Sequence, residues 1–215
     1  RENNQLINKH QVLMFGFGLK TSLPSIIRKN YFGSQPHIEY LNRDDKYLSW
    51  TNLIQKLCIS YYNCASENNK TNFLVKLKES NIDKQEMINF FNFQKRLKNL
   101  KVITKGDSIK ILEQTSICIG FNSTAIFEAI ARGIPLIFPN FGECKKKPYF
   151  PYLINIAKEE EDIIVANSEQ DLEKIISKLL HKKPNVCKNL SKNKRELLDK
   201  WVGNPDGYSG KRLTS

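Results

Sequence analysis

The sequence predicts an α/β fold in which a parallel sheet is covered by helices. Six short apolar runs, at Gln11–Phe17, Asn72–Leu77, Leu100–Thr104, Ser116–Gly120, Gly133–Phe138 and Asp162–Ala166, have the length and composition of buried strands. Segments with apolar residues at helical spacing lie between them. Strands that alternate with helices build βαβ units, whose crossovers are right-handed and whose strands run parallel.

Taken in order, Gln11–Phe17 reads Q-V-L-M-F-G-F, an apolar run that exits into glycines. Leu19–Leu48 is polar and punctuated by Pro24 and Pro36. It reads as a long irregular connection with a short helix near Ser25–Asn30. Across Ser49–Ala65, residues Trp50, Leu53, Ile54, Leu57, Cys58 and Tyr61 form one helical stripe. Met87, Ile88, Phe91 and Leu97 do the same for Lys84–Leu97. The turn Lys105-Gly106-Asp107 precedes Ser108, which suits the N-cap of a short helix, Ile109–Gln114. Ser123–Arg132 predicts a helix with Asn122 or Ser123 as N-cap and Gly133 as terminator. Pro139–Pro151 is a loop, Glu169–Leu180 an amphipathic helix, and Cys187–Trp201 helical again. The fold class is a Rossmann-like parallel sheet flanked by helices, with 1–201 as one domain and 202–215 as a C-terminal tail. The chain opens on Arg1 and stops in mid-pattern at Gly210–Ser215, so it reads as a piece of a longer protein.

At 215 residues, with 40% hydrophobic and 26% charged residues, the chain can bury a core, and wholesale disorder is not expected. No apolar run approaches the roughly 18 residues of a membrane helix, and no signal peptide opens the chain. The five cysteines include no C-x-x-C pair and read as free thiols of a reducing cytoplasm. His10, His37 and His181 are scattered, so no metal site is expected. The net charge of +12 suits nucleic acid, an anionic membrane leaflet or a phosphorylated substrate, or it reflects a compositional bias toward Asn and Lys. Nucleic acid is not expected as a partner. The sequence carries neither an aromatic-interleaved basic motif nor helix-turn-helix spacing.

In an open parallel sheet, ligands bind outside the carboxyl ends of the strands. Three loops fall there. Gly16-Phe17-Gly18 lets backbone approach a phosphate or sugar, or simply makes a tight strand exit. Thr21 stands where a dinucleotide fingerprint needs its third glycine, so NAD is not expected. Gly120-Phe121-Asn122-Ser123-Thr124-Ala125 opens a helix with hydroxyls and unpaired N–H groups, which favour an anion. Glu128, one turn on, can accept both hydroxyls of a ribose; the alternative is an ordinary cap with a solvent-facing Glu. Ser123 is no esterase elbow, because the glycine two residues later is absent. Lys105-Gly106-Asp107 borders a base or ribose, or is a plain turn. Asp44-Asp45 is a surface pair and not a D-x-D metal motif.

The string G-F-N-S-T-A-I-F-E-A-I-A-R-G-I-P-L-I from Gly120 resembles the S-T-A-x-x-E-A-x-x-x-G-x-P segment of GT-B glycosyltransferases, particularly those of bacterial capsule and lipopolysaccharide biosynthesis. Trp201-x-G-x-x-Asp206-Gly207-x-Ser209-x-x-Arg212 is similar to a stretch near the end of such enzymes. The resemblance implies a C-terminal, nucleotide-sugar-binding domain, whose tail returns toward an N-terminal domain outside this sequence. It implies that Ser123 and Thr124 meet the phosphates and Glu128 the ribose, and that Gly16 and Gly18 face the cleft; Asn122 and Gly106 join the candidate site from the loops read above. Lys76 lies in Lys76-Leu77-Lys78, where related glycerol-phosphate transferases carry His-Pro; it supplies charge and no base. The nucleotide sugar is the substrate, with no cofactor or metal. The base and the polysaccharide or lipid-linked acceptor come from the other domain, so no catalytic residue is assigned. The resemblance implies a cytoplasmic protein in peripheral contact with the anionic inner membrane. An epimerase or hydrolase on the same frame, and a non-catalytic nucleotide-binding or partner-binding module, are the alternatives.

Overall fold

The computed structural model describes residues 11–23, 26–32, 35–41, 48–78, 85–153, 163–181 and 192–202. Gln11–Phe15 (β1) is followed by a hairpin of Ile26–Phe32 (β2) and Gln35–Leu41 (β3), then by helix Thr51–Glu67 (α1). Asn72–Lys76 (β4), Gln85–Phe93 (α2), Leu100–Ile103 (β5), Ser108–Glu113 (α3) and Thr115–Ile119 (β6) come next. Ala125–Ala131 (α4), Leu136–Pro139 (β7), Ile163–Ala166 (β8), Glu169–His181 (α5) and Lys192–Val202 (α6) complete the described chain.

All six expected strands enter one sheet, in the order β5-β4-β1-β6-β7-β8, and each pairing in it is parallel. The two central strands explain why the sequence was readable. Val12, Leu13 and Met14 of β1 and Ile117, Cys118 and Ile119 of β6 are all buried. A parallel strand covered on both faces needs such a continuous apolar run rather than an alternating one. Helix α1 lies across the sheet, where the buried Tyr61 hydroxyl reaches Val12 O at 2.8 Å and Leu74 O at 3.0 Å, bridging β1 and β4. Beside α1 runs α5, joined to it by the ion pair of Lys56 with Glu169 at 2.7 Å. Helix α6 packs on α4 and buries Leu197 and Leu198.

Cys58, Cys64, Cys118 and Cys144 are buried free thiols. Burial pushes all four above the ordinary thiol value, Cys64 and Cys144 to about 12. They therefore pack as small apolar groups and are not nucleophiles. Cys187, and the tail at 203–215 with its D-G-x-x-x-x-R stretch, lie outside the described residues.

Three expectations are corrected. The short helix near Ser25–Asn30 and the irregular run around it are replaced by the antiparallel hairpin of β2 and β3, in register from Ile26↔Leu41 to Phe32↔Gln35. Ile26, Ile27, Tyr31 and Phe32 precede Gly33-Ser34 in the sequence and Ile38, Tyr40 and Leu41 follow it, which is strand composition around a two-residue turn signal. Pro36 does not forbid this, because a two-stranded ribbon has an unpaired outer side. Next, Asp107 and not Ser108 caps α3: its carboxylate accepts the Ile109 N–H at 2.9 Å. Finally, the Pro139–Pro151 loop contains two 3-10 helices, Gly142–Lys145 and Lys147–Tyr152.

Candidate functional site

From β1 the chain goes to β4 on one side, and from β6 it goes to β7 on the other. The sheet therefore has its topological switch between β1 and β6, and open parallel sheets take their ligands in the crevice beyond the carboxyl ends of such strands. The loops that bound it contain two of the three singled out from the sequence, in 16–23 after β1 and 120–124 after β6. Their middle residues meet beneath the crevice: the Phe17 and Phe121 rings lie 4.7 Å apart. Trp50 stands 4.8 Å from Phe121 and 4.9 Å from Tyr149, so the floor is a buried aromatic cluster.

The glycines of these loops have distinct jobs. A Cβ on Gly16 would lie 2.2 Å from Leu77 Cδ2, and one on Gly120 would lie 2.3 Å from Ile126 Cγ2. Close packing therefore dictates both. Gly18 closes a tight turn, its N–H donating to Thr21 Oγ1 at 2.9 Å and its carbonyl accepting the Thr21 N–H at 3.1 Å. Gly106 has φ +123, a left-handed backbone that only glycine adopts readily. It turns the chain from β5, an edge strand of the sheet, into α3.

The polar candidates divide in the same way. Lys76, at the end of β4, donates to Leu77 O at 3.2 Å and Thr104 O at 2.8 Å, clamping the ends of β4 and β5 together. Asn122 is buried with φ 41, and its side-chain amide donates to Tyr152 O at 2.8 Å. It fastens the loop after β6 to the segment after β7. Ser123 Oγ accepts the Ala125 N–H at 3.3 Å, a turn just before the helix. The N-cap is Thr124, which makes no side-chain cap bond. Thr124 and Glu128 are both exposed and four residues apart, so they rise one above the other on the same face of α4. The structure thus gathers Gly16, Gly18, Asn122, Ser123 and Thr124 at the switch. Glu128 follows one turn on, Lys76 is one strand away and Gly106 two.

Glu143 escaped notice in the sequence. It is 4% exposed, and its carboxylate accepts the N–H groups of Asn52 at 3.0 Å and Leu53 at 2.7 Å. This carboxylate caps α1 from 90 residues away, where Trp50, the residue at the N-cap position, offers no side-chain cap. Tyr149 clips the same corner, its hydroxyl accepting the Ser49 N–H at 3.2 Å and donating to Ser49 O at 3.1 Å. Trp50 Nε1 donates to Thr21 O at 2.7 Å. Together these bonds tie the loops after β1 and β7 to the start of α1. A Gly-Glu pair in a loop was the only local signal.

No protein-family model and no curated protein matches the sequence. Solved structures do match its fold. The UDP-GlcNAc 2-epimerase from Methanocaldococcus jannaschii superposes with TM-score 0.52 and 11% identity, over 88% of this chain and 44% of that one. The Neisseria meningitidis UDP-GlcNAc 2-epimerase bound to UDP-GlcNAc gives 0.50 and 11%, over 92% and 46%. A mutant of S. aureus TarM in complex with fondaparinux, alpha-GlcNAc-glycerol and UDP gives 0.51 and 13%, over 96% and 35%. The shared feature is the GT-B Rossmann-like domain, a six-stranded parallel sheet flanked by helices. This chain spans less than half the length of each of these three structures.

Proposed function

We propose that the chain is the nucleotide-sugar-binding domain of a glycosyltransferase, with the donor lying in the crevice between the ends of β1 and β6. The observation that carries this reading is the exposed face of α4, where Thr124 and Glu128 rise beside the switch point. The donor diphosphate lies against the hydroxyls of Ser123 and Thr124 at the start of α4, the end of the helix dipole that favours negative charge. Glu128 accepts the ribose hydroxyl pair. Gly16, Gly18 and the turn they make form the opposite wall. Lys76 and Asn122 act by holding the neighbouring strand ends and loops, and Gly106 by shaping the outermost turn. Charge on the departing nucleotide is met by main-chain donors and basic side chains, so the reading assigns no metal and no cofactor. The catalytic base and the acceptor site belong to the rest of a longer protein. A polysaccharide or lipid-linked acceptor of the capsule or lipopolysaccharide kind, used at the cytoplasmic face of an anionic membrane, completes the proposal.

The second reading, an epimerase or hydrolase acting on the nucleotide sugar itself, draws support from the two UDP-GlcNAc 2-epimerases among the similar structures. Inverted sugar stereochemistry, or nucleotide released without an acceptor, distinguishes it. A non-catalytic module would bind nucleotide and show no turnover at full length.

The test is a thermal-shift panel of UDP-, CMP-, GDP- and CDP-linked sugars on this chain beside Glu128→Ala. One nucleotide class, at about 100 times its dissociation constant, should add roughly 2.7 kcal/mol of stability, and the variant should lose that gain. Stabilisation equal in both proteins removes Glu128 from the site. No shift with any nucleotide overturns the reading for this domain.

A further inference from the structure

Between β7 and the end of the second 3-10 helix the sequence runs Lys145-Lys146-Lys147-Pro148-Tyr149-Phe150-Pro151-Tyr152, with no acidic residue. The three lysines, Pro148 and Pro151 are exposed, and Phe150 is 53% exposed. The nearest acidic residue in the chain, Glu143, is buried on the N-terminus of α1, so it does not offset the lysines at the surface. The segment is held rigidly at both ends. Tyr149 is buried against Trp50 and exchanges two hydrogen bonds with the Ser49 backbone, while Tyr152 O accepts from Asn122. Lys145 Nζ keeps one bond, to Asn167 Oδ1 at 3.1 Å. A backbone segment tied down in this way costs less ordering entropy on docking than a free loop.

We propose that Lys145, Lys146, Lys147 and Phe150 form a docking surface for an anionic lipid leaflet, on the same edge of the sheet as the crevice. Lysines beside an anionic bilayer each strengthen binding through the surface potential. An exposed aromatic ring flanked by prolines enters the headgroup boundary, as interfacial anchors do. Charge and apolar area together are the pair of signals that stable peripheral attachment requires. The proposal names the surface behind the membrane contact suggested above. Its test reads lipid and no nucleotide, so either proposal can fail alone.

The experiment is co-sedimentation of the whole chain with sucrose-loaded vesicles of phosphatidylcholine, and of phosphatidylcholine mixed with phosphatidylglycerol. Wild-type chain should bind the anionic vesicles and leave the neutral ones. Lys146→Ala with Lys147→Ala should weaken that binding about 25-fold, roughly fivefold per charge. A control pair with the same loss of charge, Lys174→Ala with Lys178→Ala at exposed positions of α5 outside the patch, should change it by less than about threefold. Phe150→Ser should abolish the binding that survives high salt. These side chains are exposed, so thermal unfolding of each variant should match wild type. Equal binding to both vesicle types, or equal losses in the two lysine pairs, overturns the proposal. Displacement from vesicles by an oligonucleotide at the same phosphate concentration also overturns it and assigns the patch to nucleic acid.

Discussion

The carboxylate of Glu143 accepts the backbone N–H of Leu53 at 2.7 Å, and with it the structure starts a helix using a residue 90 positions further along the chain. Its second oxygen takes the Asn52 N–H at 3.0 Å. Glu143→Ala leaves one buried and one half-buried donor without an acceptor and should cost about 2–3 kcal/mol. Urea unfolding should show a lower midpoint with unchanged slope. An unchanged midpoint would mean that water replaces the carboxylate without loss.

Two left-handed glycines should respond differently to alanine. At Gly106 the nearest side-chain atom to a new Cβ is at 3.5 Å, an ordinary contact, so only the backbone conformation is penalised, by about 1 kcal/mol. At Gly142 the φ is +60 and the new Cβ would meet Leu53 N and Cα at 3.0 Å, where main chain must move. Gly142→Ala should therefore cost about 2–4 kcal/mol. Thermal unfolding of the two variants decides it, and the reverse order contradicts the geometry of the α1 corner.

Alkali should destabilise the fold before any surface group matters. Burial raises the Cys58, Cys64, Cys118 and Cys144 thiols, and raises the Tyr61 hydroxyl as well. A raised folded value means that the native state keeps protons which the unfolded chain sheds. The stabilisation is complete below the unfolded thiol value of about 9 and is lost as pH climbs toward the folded values. Each thiol should contribute a slope of up to about 1.4 kcal/mol per pH unit above that point. Denaturant unfolding at about pH 8 and about pH 10 should show the fall, and Cys118→Ala should make it shallower.

On the acid side the expected effect is small. The hydrogen bond from Lys56 holds the Glu169 carboxyl below its ordinary value, against a smaller opposing effect of burial. The stability from this pair is present above the unfolded carboxylate value and fades as pH falls through the lowered one. The pair is partly exposed, with side chains 37% and 26% accessible, so Lys56→Met should cost no more than about 0.5 kcal/mol at neutral pH. A double-mutant cycle with Glu169→Gln measures it.

The sequence announced the parallel sheet because its strands are continuous apolar runs, and Val12-Leu13-Met14 or Ile117-Cys118-Ile119 admit few other readings. It hid the β2–β3 hairpin because Pro24 and Pro36 read as loop punctuation, and a ribbon outside the main sheet needs no fully apolar run. The loops at the switch point were legible from Gly16-x-Gly18 and from Gly120 through Glu128. Their internal division of labour was not. That Gly16 yields space to Leu77, that Lys76 clamps Thr104 and that Asn122 reaches Tyr152 are facts of packing between distant segments. Glu143 was invisible for the same reason. A cap supplied across 90 residues leaves no spacing to read.

The loops around the crevice are fastened largely by a side chain on one part and a main-chain carbonyl on the other. Trp50 donates to Thr21 O, Asn122 to Tyr152 O, Lys76 to Thr104 O and Lys20 to Leu48 O. Every residue type carries that carbonyl, so mutation can wander freely on the accepting side without breaking the fastening. Only the donor in each pair is pinned. Such an arrangement lets most letters of a sequence change while the frame persists, and this chain shares its fold with solved structures at only 11–13% identity.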